Sequence, residues 1–188
     1  MGGDNSPNKI IEGISIHSKI SNNLFYKIFG DKSIIDPLIS KYKILSERFE
    51  IINTKNKVED SDSALSAAKK GKDTSLWLAI ESLKNNQSDV MVSAGNTGAL
   101  FVIAKLNLNM IENIDKPALS GLWPNKIGMN VVLDLGANIE CSEKNLIDFS
   151  IMGSALHKAL FDKETAKVAL LNIGSEEFKG NTIIKNTF

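Results

Sequence analysis

The spacing of apolar and polar positions changes character at residues 89–106, DVMVSAGNTGALFVIAKL. Val90, Met91 and Val92 form a short apolar run that stops at Ser93. Gly95, Asn96, Thr97 and Gly98 are turn formers, and beyond them apolar residues recur at helical spacing. The pattern predicts a strand, a tight loop and a helix. Upstream, Gly2, Gly3 and Asp4 form a turn, with Ser6 as N-cap and Pro7 at the first helical position before Ile10, Ile11 and Ile14. Residues 24–29 alternate and end at Gly30 as a strand, residues 34–42 predict a short helix with Pro37 near its start, and 49–52 predict a second strand. Residues 55–72 are a charged excursion holding a short helix at Ala64, Leu65, Ala67 and Ala68. Residues 74–84 return to helical spacing through Leu76, Ala79, Ile80 and Leu83.

Downstream, residues 117–124 predict a connection, and the β-prone run 130–135 (NVVLDL) predicts a strand ending at Gly136. Leu146, Phe149, Ile151, Met152, Leu156 and Leu160 form one broad apolar face of a helix over Glu143–Phe161. Residues 168–173 (VALLNI) predict a buried strand, closed by Gly174 and a polar loop through Asn181. Strands alternating with helices imply an α/β fold with a mostly parallel sheet covered on both faces, here expected as one domain over residues 1–188. Ligands gather at the C-terminal ends of such strands. The loops at 93–98, 134–138 and 172–181 are therefore expected to line one crevice.

The loop at 93–98 aims backbone N–H groups and the positive end of a helix dipole at its mouth, where an anion is the natural occupant. Gly95 and Gly98 permit close approach, and Asn96 and Thr97 add uncharged polar contacts. The alternative is a structural glycine turn that binds nothing. Gly98 is followed by Ala99 and Leu100 instead of Lys and Ser or Thr, which excludes a P-loop, and neither GxGxxG nor GxSxG occurs. Asp134 and Asn138 in DLGAN place a carboxylate and an amide at a strand tip, or simply cap a turn. Glu176, Glu177 and Lys179 make a second polar loop or a solvated turn. Among Lys69, Lys70 and Lys72, a lysine near the following helix would neutralise a bound phosphate, unless the run is only solvated. His17 and His157 lack partners at ligand spacing, and Cys141 has no basic neighbour in sequence to make it a nucleophile.

Composition narrows the function classes. The 22 basic and 22 acidic side chains cancel, so the charge balance gives no footprint for nucleic acid. The single Cys141 cannot form an internal disulfide, no Cys/His cluster suggests a metal, and a reducing cytoplasm fits. The opening MGGDNSPNKI has no signal-peptide character, and no apolar run is long enough to span a membrane.

Together these stretches resemble the bacterial PlsX family of phosphate acyltransferases of phospholipid synthesis. The resemblance is carried, in the family's order, by MGGDNSP, KKGKDTSLWLAIE, VSAGNTGAL, IDKPAL, VVLDLGANIEC, LIDFSIMGSA and VALLNIGSEEFKGN. It implies a three-layer αβα fold like that of phosphotransacetylases and the isocitrate and isopropylmalate dehydrogenases. It also implies transfer of a fatty acyl group from acyl carrier protein to inorganic phosphate, with no cofactor or metal. The acyl phosphate formed is used by a membrane glycerol-phosphate acyltransferase, and family members are dimers that work at the membrane surface.

By this resemblance phosphate sits on Ser93, Gly95, Asn96, Thr97 and Gly98, with Lys72 neutralising charge. Asp134, Asn138, Asn172, Glu176, Glu177, Lys179 and Asn181 line the acyl-receiving crevice, and Asn96 or Asn138 donates to the thioester oxyanion. The family pattern has a strand before MGGD and further strands with a DGF-type loop after the last motif. The chain thus looks like the N-terminal half to three-fifths of a full enzyme, with unpaired sheet edges and an exposed apolar face expected on Glu143–Phe161. Low or no acyltransferase activity is expected of the chain alone. The competing readings are a non-catalytic remnant of a split or decayed gene and a phosphotransacetylase-type enzyme. A metal-dependent hydroxy-acid dehydrogenase lacks the carboxylates it would need.

Overall fold

The structure is a computed structural model that describes residues 1–44, 46–161, 165–174 and 179–188. The chain divides into two compact units, Met1–Asn109 and Met110–Phe188.

In the first unit, α1 (Asn8–Ile20) is followed by β1 (Tyr26–Gly30), α2 (Lys32–Tyr42), a 3-10 turn (Ser46–Arg48) and β2 (Phe49–Asn53). Strands β1 and β2 pair in parallel from Tyr26↔Phe49 to Gly30↔Asn53, with α2 as the crossover between them. Local chemistry sets the ends of these elements. The Ser33 N–H donates to Asp31 Oδ1 at 2.9 Å and caps α2, while Lys43 closes it in the left-handed conformation. Arg48 donates to Ser18 O at 2.9 Å and Ser21 O at 2.5 Å, satisfying carbonyls at the C-terminal end of α1 from beside β2. Ile11, Ile28, Ile35, Ile39 and Ile44 fill the core of this βαβ portion.

The rest of the first unit is helical: α3 (Ala64–Lys69), α4 (Ser75–Lys84) and α5 (Thr97–Asn107). Ser63 caps α3 and Thr74 caps α4. A second core of Val58, Ala67, Leu76, Ile80, Ala99 and Ile103 locks α3 and α4 onto α5. Ala99 and Ala67 are fully buried. Small side chains at these positions let the helices come close.

The second unit opens with a hairpin of β3 (Gly121–Asn125) and β4 (Gly128–Val132), paired antiparallel from Gly121↔Val132 to Asn125↔Gly128. The Asn125 side chain braces the turn, accepting from Ile127 N–H at 2.8 Å and donating to Asn130 at 2.9 Å. Helix α6 (Glu143–Phe161) and the short α7 (Thr182–Thr187) complete the unit. The Lys144 ammonium lies 3.1 Å from Asp115 and 2.9 Å from the buried Asp148, and donates to Asn113 O at 2.8 Å. This cluster ties the first turns of α6 to the segment before β3. Among the described residues, no helix is long and apolar enough to cross a membrane.

The α/β class holds, and α1 to α6 lie where apolar periodicity placed them, whereas the short α7 is not predicted by it. The sheets are smaller than the mostly parallel one expected. Residues 90–92 and 168–173 form no strand pairing among the described residues, and Val90, Val92, Leu171 and Ile173 are 72%, 86%, 86% and 85% exposed. A strand is stabilised only when a neighbour takes its main-chain hydrogen bonds, and the described residues bring none to these runs. Residues 117–124, expected as a connection, contribute to β3, and the strand expected at 130–135 is displaced to Gly128–Val132. The reason is the two-residue turn at Lys126 and Ile127, which sets the hairpin register ahead of β-propensity. Pro37 lies inside α2, not near its start. Of the apolar face expected on α6, Ile151 and Leu160 are exposed, whereas Phe149 is buried.

These burial differences have a direct consequence for stability. Ile103→Ala, at a fully buried site, should cost about 2–5 kcal/mol in urea unfolding, whereas Ile151→Ala on the open face of α6 should stay within about 0.5 kcal/mol.

Candidate functional site

In the first unit, Ser93, Gly95, Asn96, Thr97 and Gly98 lie together at the start of α5. Asn96 is its N-cap: the Ala99 N–H donates to Asn96 Oδ1 at 2.9 Å. The Gly95 N–H points back to Ser93 Oγ at 3.3 Å. The N–H groups of Asn96, Thr97 and Gly98 donate to no acceptor among the described residues, and Ser93, Thr97 and Gly98 are exposed. The helix dipole adds partial positive charge at the same point. Chemically, this arrangement can bind an anion.

A second glycine turn supports this loop. Gly3 has φ +83°, and a Cβ there would lie 2.1 Å from Ala94 O. A Cβ on Gly2 would reach 3.5 Å from Gly95 Cα. The backbones of MGGD and SAGN therefore touch, and at Gly3 the approach leaves no room for a side chain. The other face of the loop is held by the Asn96 amide, whose Nδ2 donates to Asp62 O at 2.8 Å, Asp60 O at 3.2 Å and Glu59 O at 3.5 Å. Sequence reasoning missed this turn at residues 59–62, because its contribution is carbonyl oxygens that every residue carries. Lys72, between α3 and α4, is exposed and makes no ion pair among the described residues. Asp62 instead takes Lys70, at 2.6 Å. That hydrogen bond, and one from the Glu59 N–H, hold the Asp62 carboxyl below the usual carboxylate range.

In the second unit, Asp134 organises the DLGAN turn. Its Oδ1 accepts from Leu119 N–H at 2.7 Å, and its Oδ2 accepts from Asn138 N–H at 2.7 Å and Asn138 Nδ2 at 3.1 Å. Asn138 Nδ2 also donates to Pro117 O at 2.9 Å, tying the turn to the strand-leading segment 117–119. Gly136, at φ +85°, makes the sharp bend between the two polar residues. Partial burial pushes the Asp134 carboxyl up, but the donors from Leu119, Asn138 and Ala137 outweigh it, so its pKa lies below the ordinary value.

At the third loop, Asn172 Nδ2 donates to Lys179 O at 3.3 Å, and its amide lies against Gly180, where a Cβ would come within 2.7 Å of Asn172 Oδ1. Asn181 caps α7 by accepting from Ile184 N–H at 2.9 Å. Glu176 and Glu177 lie outside the described residues. The structure thus gathers Ser93, Gly95, Asn96, Thr97 and Gly98 at one loop, Asp134 and Asn138 at a second, and Asn172, Lys179 and Asn181 at a third. Among the described residues, no group of three or more His, Cys, Asp or Glu side chains could hold a metal ion.

The glycine contact predicts that Gly3→Ala perturbs the 93–98 loop while sparing the βαβ core. Amide chemical-shift changes should concentrate at Ala94–Gly98, and shifts spread evenly over the unit would contradict the packing. For Asp134, the folded pKa is the lower one, so its contribution to stability is complete above the unfolded value of about 3.9 and is lost as pH falls through the folded value. Asp134→Asn should cost about 1–3 kcal/mol at neutral pH by weakening bonds to a charged acceptor. The gap between variant and wild type in urea unfolding should narrow as pH drops below about 4.

Comparison with known proteins identifies the family. The model of the family described as "Fatty acid synthesis protein" matches residues 1–188. The phosphate acyltransferase of Pelagibacter ubique is 66% identical over 188 residues, all of this chain and 56% of that protein. The phosphate acyltransferase of Ehrlichia ruminantium is 40% identical over 191 residues, again 100% of this chain and 56% of the relative. That of Paramagnetospirillum magneticum is 36% identical over 185 residues, 98% of this chain and 53% of the relative. The chain therefore spans little more than half the length of these curated relatives. With the family match running from its first residue to its last, the chain belongs to the fatty acid synthesis protein family.

Proposed function

We propose that the chain forms part of a phosphate acyltransferase that moves a fatty acyl group from acyl carrier protein to inorganic phosphate. The observation that carries this reading is the set of free N–H groups of Asn96, Thr97 and Gly98 at the start of α5. The relatives' shared name, phosphate acyltransferase, supplies the reaction.

In this reading phosphate binds at Ser93, Gly95, Asn96, Thr97 and Gly98, and the Lys72 ammonium offsets part of its charge. One phosphate oxygen attacks the thioester carbonyl carbon, the new C–O bond gives a tetrahedral oxyanion, and the C–S bond breaks as the carbonyl re-forms. The carrier leaves as a thiolate that takes up a proton, and the acyl group leaves on phosphate as a mixed anhydride. The protein's share is orientation and charge stabilisation, without a covalent enzyme intermediate. Asn96 or Asn138 donates to the oxyanion; both amides now donate to main-chain carbonyls, so either must exchange a carbonyl for the substrate. Asp134, Asn138, Asn172, Glu176, Glu177, Lys179 and Asn181 form the acyl-receiving side.

The proposal extends to the fold. Residues 90–92 and 168–173 join a mostly parallel, three-layer sheet of the dehydrogenase-like type, and the exposure of Val92 and Leu171 supports such pairing. A homodimer, action at the inner membrane face and hand-over of product to a membrane glycerol-phosphate acyltransferase belong to the same reading.

The test is production of acyl phosphate, trapped with hydroxylamine, from acyl carrier protein thioester and phosphate. The chain should be assayed alone and mixed with the part of the Pelagibacter ubique relative that lies outside the match. Little or no product is expected from the chain alone, and product is expected from the mixture. Absence of product in both, with the mixture shown to associate, would favour a non-catalytic remnant.

A further inference from the structure

The turn at residues 59–62 owes its shape to one carboxylate. Asp62 Oδ2 accepts the Glu59 N–H at 2.7 Å and the Lys70 ammonium at 2.6 Å, and the Asp62 side chain is only 14% exposed. Lys70 is the C-cap of α3, so this ion pair folds α3 back on the turn that precedes it. The same turn presents the carbonyls of Asp62, Asp60 and Glu59 to Asn96 Nδ2. An amide nitrogen has two donor hydrogens, so three convergent carbonyls over-supply it and hold it in place only while they stay convergent. The other end of the amide caps α5. At Gly98, a Cβ would come within 3.6 Å of Ala64 Cβ, so the first residue of α3 also sits close to the loop.

We propose that Asp62 is a positioning residue for the start of α5: by closing the turn on Lys70 and Glu59 N–H, it fixes Asn96 and thereby the N–H groups of Asn96, Thr97 and Gly98. This inference rests on the reading that those groups bind phosphate. Asp62 does not touch the ligand. It acts through the Asn96 amide, which makes the helix start preorganised for the anion and not merely capped.

The test is titration of the isotope-labelled 188-residue chain with inorganic phosphate, following the Asn96, Thr97 and Gly98 amide signals at a temperature where every variant is folded. Hydrogen exchange of the Asn96 side-chain amide is measured alongside. Asp62→Ala should weaken phosphate binding about threefold to tenfold, as expected when one ordered side chain must be re-immobilised, and should speed Asn96 Nδ2 exchange. Asp62→Asn keeps an acceptor oxygen for Glu59 N–H but loses the charge facing Lys70, and should fall between. If Asp62→Ala does not fold, Asp62→Asn and Lys70→Met carry the comparison. Phosphate affinity unchanged in the folded variants overturns the inference, even where the Tm falls. No phosphate shift at these amides in the wild type would instead overturn the anion reading of α5, and this inference with it.

Discussion

The Asn96 side chain ties the start of α5 to the turn at residues 59–62, beside the core that already holds α3 against α5. Its oxygen ends the exposed backbone of α5 by taking the Ala99 N–H, and its nitrogen reaches across to carbonyls of residues 59–62. Helix starts leave N–H groups without partners, and one polar side chain can satisfy only some of them. Here the cap takes the Ala99 donor and leaves those of Asn96, Thr97 and Gly98 without an acceptor among the described residues. Below the cap, Ala99 and Ile103 anchor the same helix in a dry core shared with Ala67, Leu76 and Ile80. Rigid packing under the helix and a tethered cap above it are what turn a frayed end into a fixed array of donors.

The glycines complete that constraint from the other side. Gly3 presses against Ala94, so the loop is confined between one backbone position that cannot carry a side chain and one amide that is held by carbonyls. Asp134 does equivalent work in the second unit. It gathers N–H groups from Leu119 and Asn138 around one carboxylate, and Gly136 supplies the bend that lets them converge. In both units the polar residues prominent in the sequence hold the loop in shape as well as facing outward.

What the sequence disclosed follows from the range of each interaction. Helices α4 and α6 were legible because their signals are local: Thr74 marks a start, and apolar spacing runs through Leu76 and Ile80 or through Leu146 and Phe149. Strand pairing is not local. Residues 90–92 and 168–173 have the composition of buried strands, yet pairing depends on a neighbour whose identity no short window contains. The same division applies to the loops. Asn96, Gly98, Asp134 and Asn138 stand out by residue type, whereas the turn at 59–62 contributes carbonyls, and Asp62 contributes a carboxylate with an inward role that charge-rich surroundings conceal.

Those surroundings bear on how an acidic segment can lie beside the proposed anion site. Glu59, Asp60 and Asp62 crowd the turn that touches Asn96, and like charges there would repel phosphate. Two of the three are neutralised locally: Lys57 lies 3.0 Å from Glu59, and Lys70 lies 2.6 Å from Asp62. The Asp62 pair is the less exposed, so solvent and salt screen it less, and its carboxylate is further committed to the Glu59 N–H. Asp62 therefore offers the loop ordered carbonyl dipoles rather than a free negative charge. That leaves the N–H groups of α5 as the positive end of the local dipole field, so that in the proposed reading acidic residues shape the loop without opposing an anion.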